Sequence, residues 1–413
     1  MNHLETIYSW KKSNIGAVAP FITSKVDVIG LDVSEYISTD NMIVNRGGIV
    51  DAEKLPSVGR VNKFQIGDTL FSNIRPYFKK VWRARFDGGA SNDVLIFRSI
   101  DSDILDPLFL YYYISSDKFI DFTVKTAKGV KMPRGDKDAI KAESIYLPSL
   151  VEQKRIVAVL ECLDEKIELL REQNETLEDM AQLLFKRWFV DFNFPDENGK
   201  PYKDAGGKMV ESELGEIPEG WKIGSIEDLT IKMNSGGTPS TKNAEYYGGS
   251  LNWFSTKEFK DNFVFDSEKK ITHKGLSNSS AKLFPEGTVL MAIYASPTVG
   301  RLAILSKEST FNQAAVGLIA NLNVAGYGYI YLQLKKLRDE LNNLANGAAQ
   351  QNLNVGLVKR FPIVIPKKSV MQSCEPTISS LFEKIKTNSE EIRSLKRVRD
   401  LLLPKLISGE IGL

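Results

Sequence analysis

The sequence predicts an α+β protein: two tandem-repeat domains of mixed α/β structure separated by two long antiparallel coiled-coil helices. Three observations carry this. The 413 residues leave room for two domains and more. The chain repeats itself with a period of 218, and each copy closes on a long run of heptads. Ala127-Lys128-Gly129 returns as Ala345-Asn346-Gly347, so the period is 345 − 127 = 218. Leu147-Pro148 returns as Ile365-Pro366, Glu165-Lys166-Ile167 as Glu383-Lys384-Ile385, and Leu184 as Leu402. Upstream the offset drifts: Asp68-Thr69-Leu70-Phe71 aligns with Gly287-Thr288-Val289-Leu290, and Asn92 with Asn312.

Residues 1–149 make the first domain. Thr69-Leu70-Phe71-Ser72 and Val94-Leu95-Ile96-Phe97 read as short buried strands, and Leu108 to Phe122 as helical. A last strand ends at Leu147-Pro148, since proline halts strand and helix alike. Residues 150–194 are the first long helix. Residues 195–368 hold a linker, Pro195-Asp196-Glu197-Asn198-Gly199-Lys200-Pro201 with Gly206-Gly207, and the second domain. That domain repeats the order with Val289 to Ile293, Ala315 to Ile319, a helical Ile330 to Leu344 and a strand ending at Ile365-Pro366. Residues 369–413 are the second long helix.

The first helix sets Ile156, Leu163, Leu170, Leu177 and Leu184 at one heptad position. Leu160, Ile167, Asn174, Ala181 and Trp188 take the other. In the second helix the rows are Cys374, Leu381, Asn388, Leu395, Leu402 and Ile378, Ile385, Ile392, Arg399, Leu406. About 36 helical residues make a rod of roughly 54 Å. Copies related by an approximate two-fold axis place these helices antiparallel. The core midpoints are (156 + 188)/2 = 172 and (374 + 406)/2 = 390, so facing residues sum to 562. Asn174 and Asn388 then share one layer, beside an equivalent layer of Leu170 and Ile392. A polar core pair is a device for fixing register, and replacing one asparagine by Leu is expected to destabilise more than replacing both.

Composition narrows function. The chain has 54 basic and 52 acidic residues, a net charge of +2, which neither demands nor excludes nucleic acid. Residues 151–195 carry 6 basic and 10 acidic residues, whereas residues 1–150 carry 20 and 18, so the domains are mildly basic and the first helix acidic. No apolar run reaches the 18 residues of a membrane span, and Met1 to Trp10 lacks a signal-peptide pattern, so a cytoplasmic protein is expected. Cys162 and Cys374 cannot build a disulfide framework or a four-thiolate zinc site and read as free thiols. Two histidines, His3 and His273, leave almost nothing for a His-based triad or metal site.

Local strings that suggest catalysis have simpler readings. Asp106-Pro107-Leu108-Phe109 is a helix cap followed by proline at the first helical position. Ser235-Gly236-Gly237-Thr238-Pro239-Ser240 lacks the Gly-Lys-Ser/Thr of a phosphate loop and reads as a mobile loop. Glu268-Lys269-Lys270 after Asp261 or Asp266 echoes a nuclease trio but has no counterpart in the first copy. No active site, metal or cofactor is expected, which favours an interaction function.

The repeat, the heptads and a series of strings together resemble the specificity subunit of type I restriction-modification enzymes. The strings are Pro148 to Ile156 (PSLVEQKRI), Leu184 to Phe192 (LFKRWFVDF), Leu214 to Trp221 (LGEIPEGW), Ser235 to Ser240 (SGGTPS), Asn346 to Leu353 (NGAAQQNL) and Leu401 to Ile411 (LLLPKLISGEI). The order of the strings along the whole chain carries the resemblance, and the first domain departs most, lacking a Gly-Gly-Thr-Pro loop and a Gly-Ser/Ala-x-Gln run. The resemblance implies a non-catalytic subunit whose two target-recognition domains each read half of a bipartite site in double-stranded DNA. The helices space those domains and dock two methyltransferase subunits, and restriction subunits join that core. In the first domain the DNA-binding candidates are Arg75, Tyr77, Lys79, Lys80 and Arg83, then Lys128, Lys131 and Arg134. In the second they are Thr238 and Lys242, then Tyr294, Ser296 and Arg301, then Asn346, Gln350, Gln351 and Asn352. Basic side chains bond phosphates, while Arg and amides read base edges. Val157, Val159, Leu169, Phe185, Phe189, Leu401 and Leu403 lie off the heptad core and await either a methyltransferase or a recognition domain. The competing reading is a duplicated coiled-coil protein-interaction scaffold without DNA specificity.

Overall fold

Short runs that are apolar on both faces become interior strands, because only a sheet satisfies their backbone while burying every side chain. Thr69–Ser72 and Val94–Phe97 are buried at all positions and pair antiparallel, with Ser72 opposite Val94. Val289–Ala292 does the same against Ala315–Ala320, with Ala292 opposite Ala315. The computed structural model describes residues 10–57, 59–294, 298–346 and 353–413, without the side chains of residues 345 and 346. It divides into two units: the chain up to Glu168 with Ile392–Leu413, and Leu169–Glu391.

In the first unit a three-stranded sheet runs in the order Val81–Arg83, Thr69–Ser72, Val94–Phe97. A four-stranded sheet runs Lys25–Asp27, Arg60–Phe64, Gly88–Ala90, Tyr36–Ile37. Lys11–Asn14 pairs with Ser144–Leu147. The helical stretch is two helices, Pro107–Ser115 and Asp117–Lys125, because extended Ser116 interrupts it and its hydroxyl caps the second. In the second unit a five-stranded sheet runs Thr230–Ser235, Ala315–Ala320, Val289–Ala292, Leu302–Leu305, Asn262–Val264. Lys269–Ile271, Tyr247–Phe254 and Thr310–Phe311 form a three-stranded sheet, and Lys222–Ser225 pairs with Pro362–Ile365. Its helical stretch is likewise two helices, Tyr327–Lys336 and Arg338–Asn346.

The backbone corrects the sequence alignment by one residue. Gly67 donates to Ala84 and Asp68 to Gln65; Gly287 donates to Leu305 and Thr288 to Pro285. Gly67 therefore matches Gly287, and Asp68 matches Thr288 rather than Gly287. The threonines Thr69 and Thr288, each followed by an apolar run, hide the shift in sequence.

The long helices are Leu150–Phe185, continued by a wider turn over Lys186–Val190, and Lys368–Ile407. In the first unit the start of one and the end of the other share a core: Ile156, Val157 and Leu160 with Leu403, Leu406 and Ile407, against Phe109, Leu110 and Ile145. In the second unit Ala181, Phe185 and Phe189 share a core with Cys374, Ile378, Phe382 and Ile385, against Tyr329 and Trp221. The helices therefore run antiparallel. Val157 and Leu403 are buried in the core of the first unit and Phe185 and Phe189 in that of the second, Val159 is half-buried, and Leu169 and Leu401 stay exposed. Arg399 is tolerated at its heptad position because Asp164 accepts its Nη1 at 2.7 Å. Burial works against the guanidinium charge, yet Asp164 and Asp400 outweigh it and raise its pKa.

Asn174 and Asn388 are both buried within the second unit. Asn174 Nδ2 donates to Ser389 Oγ at 3.2 Å, and Asn388 Nδ2 to Gln173 Oε1 at 3.3 Å. Each asparagine thus bonds the sequence neighbour of the other, in pairs that sum to 174 + 389 = 563 and 388 + 173 = 561. Leu170 and Ile392 are buried too. Cys374 is buried and its thiol is pushed up to about 12 by desolvation, while Cys162 is exposed. Among the described residues no helix is long and apolar enough to cross a membrane.

Candidate nucleic-acid interface

Where the buried strand pair of the first unit ends, the chain must leave the sheet and polar residues begin. Asn73 follows the strand Thr69–Ser72; its Nδ2 donates to Gly135 O at 3.2 Å, and Gly135 N returns a bond to Asn73 O. That anchors a tight loop, Lys128 to Arg134, whose ends exchange backbone bonds of 2.8 and 2.9 Å. Arg75 N donates to Pro133 O, Asn45 N to Phe78 O and Arg46 N to Lys79 O, so the segments around residues 45, 75–79 and 128–134 converge. Among the described residues six non-glycine residues have positive φ, and four of them lie here: Asn45 (56°), Arg46 (58°), Arg75 (49°) and Lys79 (53°). Such backbone costs about 1–3 kcal/mol per residue and clusters where geometry serves function.

This cluster holds most of the first-domain candidates, in different states. Lys79 Nζ and Arg46 Nη2 both bond Asp117 Oδ1, at 2.7 and 2.5 Å. Partial burial alone would raise the Asp117 carboxyl, but these two cations outweigh it and hold it below 3.8. Lys80 Nζ donates to Thr39 O, and Tyr77 packs edge-on against Phe78, both exposed. Lys128 pairs with Asp136 and Arg134 with Asp93, while Lys131 is exposed at the loop tip. Arg75 Nε is buried without a partner among the described residues. Arg83 stands apart from the loop and meets Glu161 of the first long helix at 3.5 Å. Sequence reasoning missed Arg46 and Asp117; the turn-forming Asn45-Arg46-Gly47-Gly48 was the available signal for Arg46.

In the second unit the Ser235–Ser240 loop is pinned, which corrects its reading as mobile. Gly237 N donates to Phe311 O at 2.9 Å, Trp253 Nε1 to Gly237 O at 2.8 Å and Tyr247 Oη to Pro239 O at 2.7 Å. A Cβ on Gly236 would stand 2.2 Å from Phe311 O, and one on Gly237 2.2 Å from Ser280 O, so only glycine fits. The loop thereby presents Thr238, whose hydroxyl donates to the exposed Gln313 Oε1. Lys242 is exposed, as is Tyr294, whose N–H donates to Ala314 O. Arg301 is half-buried beyond the same strand. Ser296, Gln350, Gln351, Asn352 and the side chain of Asn346 lie outside the described residues. Gln313 carries no local signal of its own in the sequence, where the repeat aligns its neighbour Asn312 with Asn92.

The strings that suggested catalysis make structural contacts. Asp106 Oδ1 accepts from Leu108 and Phe109 N–H groups and caps a helix. Asp261 bonds Arg338, Glu268 pairs with Lys257, and Asp266 with Lys307. Among the described residues no cluster of His, Cys, Asp and Glu is placed to hold a metal ion. Each unit instead presents basic or amide side chains on loops braced at the end of a buried strand pair, an arrangement suited to phosphates and base edges.

The family model described as type I restriction modification DNA specificity domain matches residues 9–179 and again 218–397. The chain is 26% identical to the HindI specificity subunit of Haemophilus influenzae, over 97% of this chain and 99% of that protein. It is 28% identical to the MjaIX specificity subunit of Methanocaldococcus jannaschii, over 73% and 68%. The crystal structure of a type I restriction-modification S subunit from M. genitalium superposes with a TM-score of 0.56 at 14% identity, covering 96% of each chain.

Proposed function

Because the chain belongs to the type I restriction modification DNA specificity domain family, we propose that it is the DNA-reading specificity subunit of a type I restriction-modification enzyme. Residues 1–149 and 195–368 each read one half of a bipartite duplex target. Residues 150–194 and 369–413 space the two halves and dock two methyltransferase subunits, and restriction subunits join through that core. The chain works in the cytoplasm, carries no cofactor and contributes recognition rather than catalysis.

The observation that carries this reading is the doubled family match, one per unit, with braced polar loops in both. It favours DNA reading over a scaffold, which has no need of two such loop sets. The test is a salt-titrated binding measurement on duplex DNA with the methyltransferase subunit present. Affinity should fall steeply with salt, by a slope of about −0.9 per phosphate contact, while preference for one bipartite site persists. Salt-independent binding without site preference would support the scaffold.

A further inference from the structure

The two units place one amide side chain at the same hydrogen-bonded position, a match that sequence alignment hides. Ala90 pairs in parallel register with Ile37, and Phe311 with Phe254. Ser91 N donates to Ile37 O at 2.9 Å, and Asn312 N to Phe254 O at 2.9 Å. Asn73 N donates to Asp93 O at 2.8 Å, and Ile293 N to Ala314 O at 2.8 Å. Val94 opens one buried strand and Ala315 the other. Four coincident backbone features therefore equate Ser91 with Asn312 and Asn92 with Gln313. The sequence had aligned Asn92 with Asn312, one residue away.

Asn92 and Gln313 share more than position. Both are exposed, between residues whose backbone is tied to neighbouring strands on either side. In each the amide oxygen is held by a donor from a distant segment: Lys25 Nζ reaches Asn92 Oδ1 at 3.0 Å, and Thr238 Oγ1 donates to Gln313 Oε1. The oxygen keeps its second lone pair, and among the described residues the amide nitrogens take no partner. An amide whose oxygen is fixed presents one acceptor and one donor in a set direction. Adenine's major-groove edge offers the complement, an N6 donor beside an N7 acceptor.

We propose that Asn92 and Gln313 are equivalent adenine-reading residues, one for each half of the target, with Lys25 and Thr238 as positioning residues that orient their amides. This rests on the DNA-reading function proposed above. The repeat would thus conserve a position and an amide, while the surrounding loops differ between the half-sites.

The test uses the complex with its methyltransferase and target duplexes in which each adenine in turn is replaced by 7-deazaadenine, which lacks the N7 acceptor. Wild-type affinity should drop about 5- to 150-fold at one adenine of one half-site and at one of the other, the range for a bidentate contact. In Gln313→Met the penalty should vanish at the first of these adenines only, and in Asn92→Leu at the second only. Thr238→Val should shrink the first penalty without touching the second. A wild type indifferent to 7-deazaadenine at every position overturns the inference without any variant, as do penalties that persist in both variants. A wild type that prefers no bipartite duplex overturns the function itself, a result distinct from these.

Discussion

Replacing the central asparagines of the helix pair tests what holds its register. Asn388 is 0% exposed and Asn174 9%. Each donates one long hydrogen bond, and each leaves a buried Oδ1 with no partner among the described residues. Leu matches Asn in heavy-atom count and branching, so the change is one of polarity rather than volume. A net hydrogen bond contributes about 1 kcal/mol, and an unsatisfied buried acceptor costs about 1–3 kcal/mol. Asn388→Leu alone loses one bond and removes one orphan oxygen, and it leaves the Asn174 bond to Ser389 and the Asn174 orphan oxygen as they were. Because each asparagine bonds the neighbour of the other and not the other itself, the single change should range from neutral to about 2 kcal/mol stabilising. The double replacement removes both bonds and both orphans, and should match or exceed wild type by up to about 4 kcal/mol while weakening register. Native-state hydrogen exchange at the amides of both long helices reads these differences, since 1.4 kcal/mol is tenfold in protection. A single variant as stable as the double, or a double less stable than either single, would refute the reasoning.

Lys131→Ala should reduce the salt slope of DNA binding by about one contact without relaxing sequence preference, because its ammonium is exposed at a braced loop tip. Lys79→Ala should do so less, since Asp117 already engages that lysine. The Asp117 carboxyl, lowered from 3.8, contributes stability that is present above that pH and lost as pH falls through its folded value. Melting temperatures of wild type and Asp117→Asn should therefore differ at pH 7 and converge in acid. Phe189→Ala should cost about 3–5 kcal/mol in urea unfolding, because its ring lies 4.9 Å from Tyr329 and 5.4 Å from Phe185. Leu169→Asp with Leu401→Asp should abolish co-purification with the methyltransferase at unchanged melting temperature, as both side chains are exposed on the long helices.

Periodic and local features were legible in the sequence: the buried strands, the heptad rows, the Asp106 cap and the doubled unit. They follow from backbone geometry and side-chain spacing within a few residues, which any copy of the string carries with it. Contacts made at long range were decided by tertiary structure. Lys79 and Asp117 are 38 residues apart, and Thr238 and Gln313 are 75. No local pattern says that one lysine will be ion-paired while Lys131 stays exposed, or that a glycine-rich loop will be clamped by Trp253 and Phe311. The one-residue shift that equates Asn92 with Gln313 is invisible in sequence for the same reason. Strand register is set by which backbone groups face each other, and that choice is made only when the sheet closes.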